Sequence, residues 1–126
     1  MSDCPCGSGD DYDVCCGALH AGRRPAPTAE ALMRSRYSAF AVRDTVYLLA
    51  TWHPGHRPDT LDLDDDVTWR RLEIVRTDAG GPWDDEGTVE FVAHYAEPAG
   101  RGQLHETSRF VRQDGRWLYV DGVVAG

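Results

Sequence analysis

With 126 residues, 14.0 kDa and a hydrophobic fraction of 41%, the chain has room for one packed core and a short segment stabilised by other means. Thirteen basic residues against 21 acidic ones give a formal net charge of −8, which sets most of the surface against nucleic acid. Lysine is absent, excluding Schiff-base chemistry and the phosphate-binding lysine of a P-loop, and no apolar run approaches the roughly 20 residues of a membrane span.

The chain opens Met-Ser-Asp-Cys-Pro-Cys, with neither a basic start nor an apolar stretch, so a secretory signal is not expected. A cytoplasmic setting follows, in which stable disulfides are uncommon. Residues 1–20 hold all four cysteines and little apolar mass. Cys4 and Cys6 form one close pair and Cys15 and Cys16 a second, eight residues further on. Four thiolates at this spacing suit a closed tetrahedral zinc site. Gly7, Gly9 and Gly17 let the backbone turn tightly and bring amide N–H groups toward the sulfurs. A segment so short and polar would take its folding energy from the metal, and a site with four protein ligands leaves no position for a metal-bound nucleophile. The zinc is therefore expected to be structural. Free cysteines, disulfides and an iron–sulfur cluster are the other readings; bridges within either close pair would be strained. His20 is the one substitute ligand in range, expected otherwise to be a free surface histidine.

Residues 21–27, with Arg23-Arg24-Pro25-Ala26-Pro27, read as a stiff, extended linker, and the main domain is expected over 28–126. Thr28 can cap a helix over about 28–42, in which Leu32, Met33, Arg36, Tyr37 and Phe40 recur at spacings of three and four. Asp44 caps a second helix that His53-Pro54 closes. The acidic stretch containing Asp62, Asp64, Asp65 and Asp66 lacks EF-hand spacing and reads as a solvated loop. Strands are expected at 69–77, 87–96, 103–113 and 116–121, separated by Gly80-Gly81-Pro82, Pro98-Ala99-Gly100 and Asp114-Gly115. Helices followed by an antiparallel meander make an α+β domain, with the helices on one face of a curved sheet.

Cys4-Pro-Cys-Gly-Ser-Gly, followed by Tyr12 and Cys15-Cys16-Gly17, resembles the SEC-C zinc motif, which also closes the C-terminus of the preprotein-translocase ATPase SecA. The remainder resembles the YchJ family, in which that motif precedes a domain similar to nuclear transport factor 2. The segments that carry this are Ala31 to Phe40, Tyr47 to Pro54, His105 to Phe110, and Gly115-Arg116-Trp117. The resemblance implies a cone of helices and curved sheet, and no particular activity. SEC-C knuckles are commonly lysine-rich between the cysteine pairs and, in SecA-type proteins, associate with the acidic chaperone SecB and with ribosomes. Here those positions are Asp10, Asp11 and Asp13, which argues against transferring either partner.

The fold so implied often has a pocket between the sheet's concave face and the helices. Alternation along a strand puts Glu106, Ser108 and Phe110 on one face and His105, Thr107 and Arg109 on the other. If Phe110 is core, Glu106 is the inward carboxylate, either an acid–base group or the partner of Arg36 in an ion pair. His53 reads as a helix-end residue, His94 and His105 as exposed strand histidines, and Trp69, Trp117, Tyr95 and Tyr119 as core or pocket lining. Two functions follow. The favoured one is a non-enzymatic adaptor that presents the knuckle to a protein partner through Asp10, Asp11 or Tyr12. The other is a small-molecule binder or hydrolase- or isomerase-like enzyme using the pocket, with Glu106, His53 and Tyr37 as its polar groups.

Overall fold

The computed structural model describes residues 3–63 and 65–124; Asp64 of the acidic stretch lies outside them. After a 3₁₀ turn at Tyr12–Val14 come helices α1 (Cys16–His20), α2 (Ala29–Val42) and α3 (Thr45–Ala50). Strands β1 (Thr68–Ala79), β2 (Glu86–Glu97), β3 (Gly100–Gln113) and β4 (Arg116–Val124) follow as one antiparallel sheet in the order β1-β2-β3-β4. The α+β expectation holds.

Local chemistry sets the element boundaries. The Thr28 hydroxyl accepts from the Ala31 amide at 3.0 Å and starts α2, and the Asp44 carboxylate does the same for α3 from Tyr47. At the β3–β4 turn Asp114 and Gly115 both take positive φ, 54° and 78°, the backbone a tight hairpin requires. Register shifts at Trp69/Arg71, Ile74/Arg76 and Arg109/Phe110 increase the local twist and help the sheet curve around α2. The outer edge of β4 is covered by the chain leaving α3, which exchanges backbone bonds between Thr51 and Tyr119 at 2.8 Å and His53 and Tyr119 at 2.7 Å.

The main core lies between α2 and the inner face of the sheet, with Leu32, Phe91, Phe110 and Trp117 buried in it. Leu19 of α1 belongs to the same apolar cluster. The knuckle is thus packed on α2, and contacts between α1 and α2 run along the helix face opposite the concave sheet. His20 is the pin, and not a free surface histidine. Its Nε2–H donates to the Ser35 carbonyl at 2.8 Å, so in the neutral ring Nδ1 accepts from the Tyr12 hydroxyl at 2.6 Å, and Tyr47 stacks at 4.5 Å. A chain starting at Pro27 is expected to keep a cooperative unfolding transition, because most of the apolar cluster remains, but at a midpoint lowered by roughly 5–10 °C through loss of Leu19 and His20. Thermal unfolding followed by circular dichroism measures this; a chain unfolded at room temperature would show that residues 1–26 are integral to the core.

Candidate functional site

Two groupings of functional side chains stand on opposite faces of α2. On the outer face, Cys4, Cys6, Cys15 and Cys16 bring their sulfurs within 4.8 Å of one another, with Cys6 Sγ and Cys15 Sγ 3.7 Å apart. An ion holding four sulfurs at about 2.3 Å in a tetrahedron needs sulfur separations of about 3.8 Å, so the donor set and its spacing fit such an ion. The cluster can hold a metal. Crowding already polarises it: the hydrogen bond from Cys16 lowers the Cys6 thiol pKa, and giving that bond, together with burial, raises that of Cys16.

The surroundings serve the cluster as a second layer. Ser38 Oγ of α2 lies 3.5 Å from Cys4 Sγ, and Ser8 Oγ lies 3.2 Å from Cys15 Sγ. Arg34 donates to the Cys6 carbonyl at 2.9 Å while pairing with Glu30, and Arg23 and Arg24 donate to the carbonyls of Asp13 and Val14. Gly17 is required because a Cβ there would stand 2.6 Å from the Tyr12 carbonyl oxygen. Of the residues expected on the presented surface, Asp10 is exposed. Asp11 and Tyr12 are half-buried, and Tyr12 is turned inward to His20.

On the inner face, α2 and the sheet enclose a cavity of about 200 Å³. Tyr37 and Phe40 of α2 and Trp69 of β1 form one aromatic wall, with Trp69 set edge-on to Tyr37 at 6.1 Å. Trp52 and Tyr119 form another, 5.1 Å apart and also edge-to-face. Its polar end holds Arg36 and Glu106. Arg36 is only 4% exposed, and its Nη1 donates to the Leu48 carbonyl at 2.8 Å and to Thr51 Oγ1 at 2.7 Å. The guanidinium carbon stands 4.6 Å from the Tyr119 ring centre and 5.2 Å from that of Trp52. Burial pulls its pKa down to about 10, opposed by Tyr119, Tyr47 and Glu106. Burial likewise pushes the phenols of Tyr37 and Tyr119 up to about 12.

Glu106 is the inward carboxylate, as alternation from Phe110 requires, but it does not form an ion pair with Arg36. It accepts instead from Ser108 Oγ at 2.6 Å, and lies against Gly122, where a Cβ would stand 2.2 Å from Glu106 Oε2. Tyr37 and Glu106 therefore share one cavity. His53 is not brought there. Its Nδ1 accepts from the Gly55 amide and its Nε2 lies 3.2 Å from Gln113, because its backbone is pinned to Tyr119 at the sheet edge. His94 and His105 bind Glu73 and Glu90 across strands, outside the cavity. Arg36 as a cavity-wall cation was visible in sequence as an arginine on the apolar stripe of α2, a position that must either be paired or line a site. Trp83, 92% exposed at the β1–β2 tip, carried no periodic signal.

The comparisons agree with this architecture. Residues 28–122 match the family description "YchJ, middle NTF2-like domain", and residues 2–18 match the SEC-C motif. A UPF0225 protein of Chromobacterium violaceum is 55% identical over 126 residues, covering 97% of this chain and 93% of the relative. One from Streptomyces coelicolor is 54% identical over 119 residues, covering 94% and 93%. The solution structure of a SEC-C motif-containing protein from Rhodopseudomonas palustris superposes with a TM-score of 0.85 at 36% identity, covering 99% of this chain and 100% of that one. A crystal structure of a SEC-C motif-containing protein from Psychrobacter arcticus gives 0.81 at 29% identity, covering 100% and 84%. With the cysteine cluster preceding a helix-backed antiparallel sheet, and with relatives matched along nearly their whole length, this chain belongs to the YchJ (UPF0225) family of SEC-C motif proteins.

Proposed function

We propose that the protein is a cytoplasmic, non-enzymatic binding protein in which a structural zinc ion clamps the knuckle to α2 and the cavity on the other face of α2 takes a small molecule. The observation that carries the reading is the cavity's polar end: a buried arginine and a carboxylate that do not pair with each other, inside aromatic walls. A buried charge left without an ion-pair partner is costly, and a site that retains one beside a half-buried carboxylate is shaped for a ligand's polar group. Zinc is the ion best suited to four thiolates in this spacing. A reducing compartment keeps those thiolates available.

The reading expects a small aromatic probe, toluene, to quench or shift tryptophan fluorescence saturably, since Trp52 and Trp69 line the cavity, and to raise the thermal midpoint as ligand concentration rises. Toluene and benzamide, each up to its solubility limit, both giving neither effect would overturn it.

An adaptor function is the second reading. What favours it is Trp83, held out on a tip whose backbone is tied down by the Asp84 carboxylate accepting from Gly81 at 2.9 Å and by the Arg112 amide bonding the Asp85 carbonyl at 2.8 Å. Tryptophan is among the residue types on which protein interfaces concentrate their binding energy. The acidic knuckle and Asp84-Asp85 would then select a basic partner.

A further inference from the structure

The polar end of the cavity has a definite hydrogen-bonding pattern. Arg36 uses Nη1 on Leu48 and Thr51, and among the described residues its Nε and Nη2 meet no protein acceptor. Trp52, which lines the same cavity, keeps a buried indole N–H that likewise has no acceptor among the described residues. The same cavity is lined by Glu106, whose Oε2 takes the Ser108 hydroxyl while, among the described residues, Oε1 receives no protein donor. One positive and one negative group, unpaired with each other, leave the cavity's polar end without net charge.

Resting on the proposal that the cavity binds a small molecule, we propose that its ligand class is the neutral, single-ring aromatic amide or lactam, with its carbonyl oxygen on Arg36 and Trp52 and its N–H on Glu106. Size supports one ring, since an apolar cavity of about 150 Å³ accepts benzene and this one, at about 200 Å³, leaves space for a substituent of a few atoms. Charge supports neutrality. A carboxylate would satisfy Arg36 but confront Glu106, and an ammonium would satisfy Glu106 but confront Arg36, whereas an amide meets both without adding charge. The aromatic walls supply stacking and edge contacts for the ring. The carboxylate is held ready, because Ser108 is buried and the missing Cβ of Gly122 makes room for it.

The test uses the full chain as purified, titrated separately with benzamide, benzoate and toluene. The four tryptophan indole N–H resonances are followed in a proton–nitrogen correlation spectrum, Trp52 being assigned from its disappearance in Trp52→Phe. Benzamide is expected to bind saturably and move the Trp52 resonance, at least about tenfold tighter than either benzoate or toluene. In Glu106→Gln, of the same shape but neutral, the benzamide-over-benzoate ratio is expected to fall by about tenfold or more, because the repulsion of benzoate is gone. Should that variant unfold, Ser108→Ala, which removes the bond holding the carboxylate in place while keeping its charge, is expected to lower the same ratio by weakening benzamide alone, and an unchanged ratio there would equally overturn the assignment. Tighter binding of benzoate than benzamide to the wild type, or a ratio unchanged in folded Glu106→Gln, would overturn the amide assignment. Equal binding of all three would overturn it while leaving the cavity as a ligand site. No binding by any of the three would overturn both.

Discussion

Replacing Cys16 with serine is expected to reduce bound zinc from one ion per chain to well below half and to lower the thermal midpoint by roughly 5–10 °C, as removal of residues 1–26 does. Four-thiolate zinc sites in small domains supply about 10–16 kcal/mol of apparent binding free energy, and losing one ligand removes enough of it to leave the knuckle unfolded at ordinary metal concentrations. The loss reaches the rest of the molecule through α1. Cys16 begins that helix, and its other end carries Leu19 into the main core and His20 onto the Ser35 carbonyl. At about 3–5 °C per kcal/mol for a chain of this size, forfeiting those contacts accounts for the shift. Metal analysis and calorimetry on the same preparations make the measurement. Unchanged zinc content and midpoint in Cys16→Ser would remove the cluster from the account of this fold, and an iron-dependent visible absorbance in the wild type would replace zinc by an iron–sulfur centre.

Much of the fold was legible because its signals are local. Thr28 and Asp44 announce helices through capping bonds that involve neighbours three residues away, and both bonds form. Asp114-Gly115 specifies its hairpin through positive φ alone. The four strands expected from alternation and turn residues all occur, each extended by one to three residues at one or both ends by cross-strand pairing, which the turn signals do not encode. Glu106 could be placed inward because alternation from Phe110 is a two-residue argument. The misplaced residues depend on contacts between distant parts of the chain. His20 sits 15 residues before Ser35, and only the docking of α1 on α2 brings its ring to that carbonyl. His53 is carried away from the cavity because the backbone after α3 is captured by β4, more than 60 residues later. The Arg36–Glu106 pairing was reasonable from helix and strand faces, but sequence cannot show that Ser108 and Gly122 hold the carboxylate in its own recess.

The cavity itself is tested most directly by filling it, and Ala93→Leu is expected to weaken toluene binding at least about tenfold while leaving stability within about 1 kcal/mol of wild type. Ala93 is 2% exposed on β2, paired with Leu72 and Leu104, and its side chain forms part of the cavity floor. Leucine there adds three carbon atoms. In a fully packed core such an addition forces neighbours off their rotamers and costs about 1–3 kcal/mol, whereas beside open space it gains apolar contact and removes a void. Ala39 of α2 provides the contrast, being fully buried but not on the cavity wall, so Ala39→Leu is expected to lose stability by that larger amount. Thermal unfolding of both variants, together with probe titrations on each, separates the alternatives. If Ala93→Leu is as destabilised as Ala39→Leu, the space beneath the sheet is too small to admit a ring. If it is stable and binds the probe as wild type does, the probe sits elsewhere, and the binding surface has to be sought outside the cavity, beginning with Trp83 and the acidic knuckle.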